Sequence, residues 1–130
     1  MTIETQIHTL HDGDINAVIQ IIGKSDGQSG QEVNIVKIDV SELVPSCDAA
    51  RIDELTYNVF GGVVTLLWDD LTPLPFAQLQ GQNTLCYRRE GGLNNLADKD
   101  SRSGDILLST VDFDGNGGYT ILFKLRKKWD

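Results

Sequence analysis

The chain has 130 residues and a formal charge of −8, with 11 Lys and Arg against 19 Asp and Glu. One domain is the expectation at this length, and 40% apolar with 23% charged residues is the composition of a chain that packs a core rather than staying disordered. The acidic balance argues against a protein that gains its affinity from phosphates, so no nucleic-acid partner is expected.

Met1–Leu10 has neither a basic start nor an apolar run of leader length, and nothing approaches the ~18 apolar residues of a membrane span, so no membrane partner is expected and synthesis in the cytoplasm is the default. Residues 1–14 read as an extended arm, and a single domain is predicted over 15–130. His8 and His11 precede Asp12 and Asp14 at a spacing that could hold a metal on a helix, but Thr5, Thr9 and Gly13 favour an extended chain. Cys47 and Cys86 lie in no CxxC pair and read as two buried thiols.

Short apolar runs bounded by Gly, Asp, Asn, Ser or Pro recur throughout, and no stretch keeps a 3.6-residue period for three turns. The fold class is therefore all-β: an antiparallel β-sandwich or jelly roll of about eight strands. Ala17–Ile22 and Val33–Val40, separated by a polar loop, read as a hairpin, and Ser41–Val44 as one helical turn. Arg51–Val59 alternates, Gly61-Gly62 supplies a turn, and Val63–Trp68 is apolar on both faces, as a central strand is. Pro73 and Pro75 confine Leu71–Pro75 to an edge or a loop.

Gln80–Gly104 is rich in polar residues and glycine, with only Leu85–Tyr87 reading as strand; a connection of that length is a candidate for function. Asp105–Val111 and Tyr119–Lys127 close the chain, joined by a glycine-rich turn. In the second of these Tyr119, Ile121, Phe123 and Leu125 share one face, with Thr120, Lys124 and Arg126 on the other. The predicted core includes Val64, Leu66, Trp68, Ile121 and Phe123.

Asp112, Asp114, Asn116 and Gly117 match the opening of a calcium loop, but Phe123 stands where a bidentate Glu is needed, so turn chemistry is the favoured reading and Asp112, Asp114 and Asn116 stay a weak metal candidate. There is no GxSxG, no HExxH and no P-loop. No enzymatic activity, catalytic residue or cofactor is expected.

The stretches RIDELTYNVFGGVVTLLWDDLTPLP (51–75), GGLNN (91–95), SGDILLST (103–110) and GGYTILFKLRKK (117–128) together resemble small virion proteins of tailed bacteriophages that decorate or cement the icosahedral head. The resemblance implies a β-sandwich, often trimeric, laid over the outer surface of the capsid, with the major capsid protein as partner and the virion as location. On that expectation the partner-binding residues are Ile3, Ile7 and Leu10 of the arm, apolar side chains poorly placed in water, and Arg88, Arg89 and Arg102 of the polar segment, suited to pairing with carboxylates. The alternative is a ligand- or carbohydrate-binding β-sandwich of a phage tail or receptor-binding apparatus.

Overall fold

The computed structural model describes residues 3–25, 32–97, 100, 102–111, 113 and 117–129. Within these the chain is all-β. Seven strands form one antiparallel, curled sheet: β1 (Ile3–Asp12), β2 (Asn16–Ser25), β3 (Ile35–Ile38), β4 (Ala49–Trp68), β5 (Leu74–Cys86), β6 (Ile106–Val111) and β7 (Gly118–Lys128). The order is β1-β2-β7-β4-β6-β3, with β5 added to β4.

Strand β4 organises the rest. Along one edge its first part, Ala49–Phe60, pairs with β7 and its last part, Val63–Trp68, with β6; along the other, residues from Glu54 to Trp68 pair with β5. Between Val59 and Val64 the pairing with β5 leaves four residues of β4 opposite one of β5, an excess of three, and the strand turns a corner. Gly62 allows it: a Cβ there would stand 2.6 Å from the ring of Phe113.

The corner also reverses which residues face inward. Before it Leu55, Tyr57 and Val59 are buried, and after it Val64, Leu66 and Trp68. An irregularity at Asp53 makes an earlier switch, from Ile52 to Leu55. Because side chains alternate with period two, each extra residue exchanges the faces.

These rows meet those of the neighbouring strands in one core, with Ile19 and Ile21 of β2, Ile121 and Phe123 of β7, and Ile106 and Leu108 of β6. Val64, Leu66, Trp68, Ile121 and Phe123 are all fully buried there. The ring of Trp68 stacks on Phe76 of β5 at 4.0 Å between centroids and 17° between planes. Closure comes at Gly104, where a Cβ would lie 2.0 Å from the carbonyl oxygen of Asp48. The start of β4 thereby meets the residues that lead into β6, the partner of its far end.

Several local expectations are corrected. Gly61-Gly62 is a bend within β4, not a chain reversal, because partners occupy both edges of the strand on either side of it. Val33–Val40 does not pair with Ala17–Ile22: β2 is filled by β1 and β7, whereas the chain entering β3 is tied to β6 by Glu32 N–H to Thr110 Oγ1 (2.7 Å) and Thr110 N–H to Glu32 O (2.9 Å). Strands β6 and β7 are not a hairpin; both run antiparallel to β4 and follow one another along its edge. Gln80–Cys86 is strand, its side chains polar because β5 is an edge strand exposed over most of its length. That merger leaves seven strands among the described residues where about eight are expected. Cys47 is buried, but Cys86, near the end of that edge, is exposed.

Trp68→Ala should cost roughly 3–5 kcal/mol, the range for removing a buried large aromatic. Chemical denaturation followed by far-ultraviolet circular dichroism measures it; a loss below about 1 kcal/mol would contradict the burial described.

Candidate functional site

The segment 1–14, expected as an arm, contains β1, the outer strand of the sheet, paired to β2 from Ile3↔Ser25 to Asp12↔Ala17. Among the described residues its far edge has no partner. Ile7 and Leu10 are 48% and 58% exposed, and Ile15, in the turn to β2, is also exposed. The side chain of Ile3 lies outside the described residues. Natural sheet edges are usually guarded by lysine, proline or an irregularity. The sequence IETQIHTLHD has no Lys, Arg or Pro, and its one guard is the register shift between Thr9 and His11. The other long edge, β5, carries Pro75 and a left-handed Gly81 (φ +79°).

Arg88 and Arg89 lie in a short 3₁₀ turn, Arg88–Glu90, and both are exposed. Arg102 differs. It is half-buried, and its Nη1 donates to the carbonyl oxygens of Asn95 (3.1 Å) and Ala97 (3.3 Å), so it orders the loop it belongs to. The structure does not bring β1 and the arginine turn together: β2, β7 and β4 stand between them. Four strand spacings of ~4.8 Å separate β1 from β5, which leads into that turn.

The arginine turn instead joins other cations. Leu93 exchanges backbone hydrogen bonds with Ile52, and Tyr87 N–H donates to Asp53 O (2.9 Å), which sets the loop beside the start of β4. There Arg51 stands directly across from Arg126, and Lys128 across from Ala49. Much of the positive charge of an acidic chain thus collects at one end of the β4–β7 pair. Lys124, one step further along β7, is paired with Glu54 at 2.7 Å.

Two lysines, Lys37 and Lys127, are buried. Lys127 continues the inward row Tyr119–Ile121–Phe123–Leu125, and its side chain is fully buried. Its ammonium donates to Asp12 Oδ1 (2.6 Å) and to the carbonyl oxygen of Gly13 (2.7 Å). The signal was present in the alternation, since 127 is odd like its buried neighbours. Lys37, at the opposite end, donates to Glu32 Oε2 (2.5 Å) and Thr5 Oγ1 (3.2 Å), while the Tyr119 hydroxyl donates to Glu32 Oε1 (2.5 Å). Burial, then the hydrogen bond and charge of Glu32, push the Tyr119 phenol far above its ordinary range. Its hydroxyl is committed as a donor to Glu32. This Glu–Lys–Tyr group has the residue types of an acid–base site but is closed and internally satisfied.

The weak metal candidate Asp112, Asp114 and Asn116 lies outside the described residues. Among the described residues no group of three or more His, Cys, Asp or Glu side chains could share a metal. His11 and Asp12 are in β1, extended as expected, and Asp12 is committed to Lys127.

A second feature is a groove of about 290 Å³ at the corner of β4, walled by Phe60 (54% exposed) and Ile22 and floored by Gly118, with Lys24 and Thr120 at its side.

No protein family matches the chain, and no curated protein matches it. Among solved structures, a cupin superfamily protein of Desulfitobacterium hafniense DCB-2 is similar over 98% of this chain and 79% of its own, at 10% identity and a TM-score of 0.35. A likeness that slight carries no argument about what this chain does.

The Asp12–Lys127 pair sets a pH dependence. Burial raises the Asp12 carboxyl, but the Lys127 ammonium and the Val44 N–H (2.8 Å) outweigh it and hold the group below its ordinary value. A lowered native pKa contributes stability that is fully present above the unfolded carboxyl's pKa of about 4 and is lost as the pH falls below it towards the native value. Asp12→Asn should cost roughly 2–4 kcal/mol, under the ~3–5 kcal/mol of a fully buried pair because Asp12 is partly exposed. Its melting temperature should also respond less to acid between about pH 4 and pH 2 than the parent's does.

Proposed function

We propose that this protein is a non-enzymatic structural protein of a tailed-bacteriophage head, which binds the outer surface of the icosahedral shell as a decoration or cement protein, assembles as a trimer and has the major capsid protein as its partner. The observation that carries the reading is the β1 edge, unpaired among the described residues and interrupted by the register shift between Thr9 and His11, with Ile7 and Leu10 exposed on it. An edge strand of this kind offers backbone groups and apolar side chains to a second protein, the mode of recognition by strand addition. Arg88 and Arg89, exposed at the far side of the sheet, supply a second contact of opposite charge to an acidic shell surface. The sequence resemblance of residues 51–128 supplies the identity of the partner. The net charge of −8 favours the outside of a particle packed with nucleic acid over its interior.

Electron microscopy of intact particles tests this directly. The expected result is density for the chain in many symmetry-related copies on the head. Ile7→Lys combined with Leu10→Lys should leave the melting temperature nearly unchanged, since both side chains are solvent-exposed, and should abolish co-sedimentation with heads lacking the protein. Deleting residues 2–12 is a poor substitute, because it removes Asp12 and leaves Lys127 buried without its carboxylate.

The second reading, a saccharide-binding module of a tail or receptor-binding apparatus, is favoured by one observation, the half-exposed Phe60 ring over the glycine floor of its groove. Density at the tail tip with none on the head, together with glycan binding lost in Phe60→Ala, would select it.

A further inference from the structure

We propose that a cavity at the cationic end of the sheet binds a small organic oxyanion, a carboxylate or phosphate monoester carried on a flat ring. It measures about 310 Å³ and is lined by Arg51, Asn94, Asn95, Arg102, Lys128 and Trp129, together with Ala49 and Ala50. It lies apart from the β1 edge and from the Phe60 groove, and the inference does not rest on the capsid reading.

Charge is the first argument. Three cationic side chains line one cavity in a chain of net charge −8. Arg51 also stands directly opposite Arg126 across the β4–β7 ladder, a pair of like charges of which the Asp53 carboxylate neutralises one. Asp53 takes only the Nε of Arg51, at 2.8 Å, and a guanidinium has four further N–H donors. Lys128 makes no ion pair among the described residues.

The second argument is an unused donor. Asn95 Oδ1 accepts the N–H of Ala97 at 2.9 Å, which fixes the orientation of the amide. Its Nδ2 is buried and has no hydrogen-bond partner. A buried donor left unmade costs about 1–3 kcal/mol, and because Asn95 is one of the residues that line the cavity, a small side-chain shift would offer this donor to an acceptor oxygen bound there. The acceptor that also satisfies arginine and lysine is an oxyanion.

The remaining wall defines the rest of the ligand. Trp129 is 52% exposed, yet its indole N–H donates to Ser46 O at 2.8 Å, so the ring is held in place while half of it faces solvent. A pinned aromatic beside a cationic cluster suits a planar ring attached to the anion. The cavity also exceeds what a bare phosphate or carboxylate needs: a water molecule's share of liquid volume is only ~30 Å³.

Titration of the whole protein with phenyl phosphate, benzoate, inorganic phosphate and benzyl alcohol, followed by tryptophan fluorescence and calorimetry, tests the site. The exposed indole is Trp129, since Trp68 is fully buried, so a change in emission reports on the cavity. Phenyl phosphate or benzoate should bind with a dissociation constant below about 1 mM, several-fold more tightly than inorganic phosphate, and benzyl alcohol should not bind. Which of the first two binds more tightly identifies the anion. Asn95→Asp keeps the oxygen that accepts from Ala97 but places a carboxylate in the cavity; it should weaken binding at least tenfold with the melting temperature little changed. Lys128→Gln, at the solvent-exposed end of β7, should weaken it about three- to tenfold and serves if Asn95→Asp does not fold. Absence of binding by both ring anions at 10 mM, equal binding of benzyl alcohol, or affinity unchanged in both variants would overturn the proposal.

Discussion

The length of β4 is the constraint on which the rest of the structure depends. Twenty residues of straight strand would span about 66 Å, roughly twice the ~36 Å diameter of a compact domain of this size. The strand must turn, and each partner must accommodate the turn at the same place. Strand β5 does so by pairing across a gap of four residues in β4, and the other edge does so by exchanging β7 for β6. The sheet consequently curls on itself and encloses a single core, sealed where Gly104 meets the backbone of Asp48.

Curling leaves polar side chains inside, and the two buried lysines show how they are tolerated. An ammonium removed from water is stable only with its charge and donors matched. Lys127 finds Asp12 and a carbonyl at one end of the sheet, and Lys37 finds Glu32 and Thr5 at the other. Each lysine also bonds β1: Lys37 through Thr5 and Lys127 through Asp12. The outermost strand is therefore tied to the interior by its ends, while its middle, with Ile7 exposed, stays presented to solvent.

That division has a functional sense. The edge of β1 can accept a partner without disturbing the core, because the residues that hold the strand in place are not the ones it displays. The cationic end of β4 and β7 is separated from that edge by β2, and Lys127, between Arg126 and Lys128, bonds Asp12 at the end of β1. In an acidic chain the collection of Arg51, Arg88, Arg89, Arg102, Arg126 and Lys128 on one side gives the surface a polarity that net charge alone conceals.

What the sequence by itself determined is the class of structure and the core: period-two alternation marks Ile121 and Phe123 as inward, the apolar run Val63–Trp68 marks a central strand that buries Val64, Leu66 and Trp68, and burying apolar strand faces is a local requirement. The same alternation placed Lys127 inside, though its charge disguised it. Only the tertiary structure decided the connections. Two glycines at 61–62 read locally as a turn, but whether a chain reverses or merely bends depends on which strands fill its edges, and those come from residues far along the chain. Gln80–Cys86 is polar because its side chains are exposed on both faces of this outer strand, so the pattern that reveals half-buried strands is missing from it. The meeting of Arg51, Asn95, Arg102, Lys128 and Trp129 was illegible for the same reason: no spacing in the chain relates residues that a curled sheet brings to one cavity.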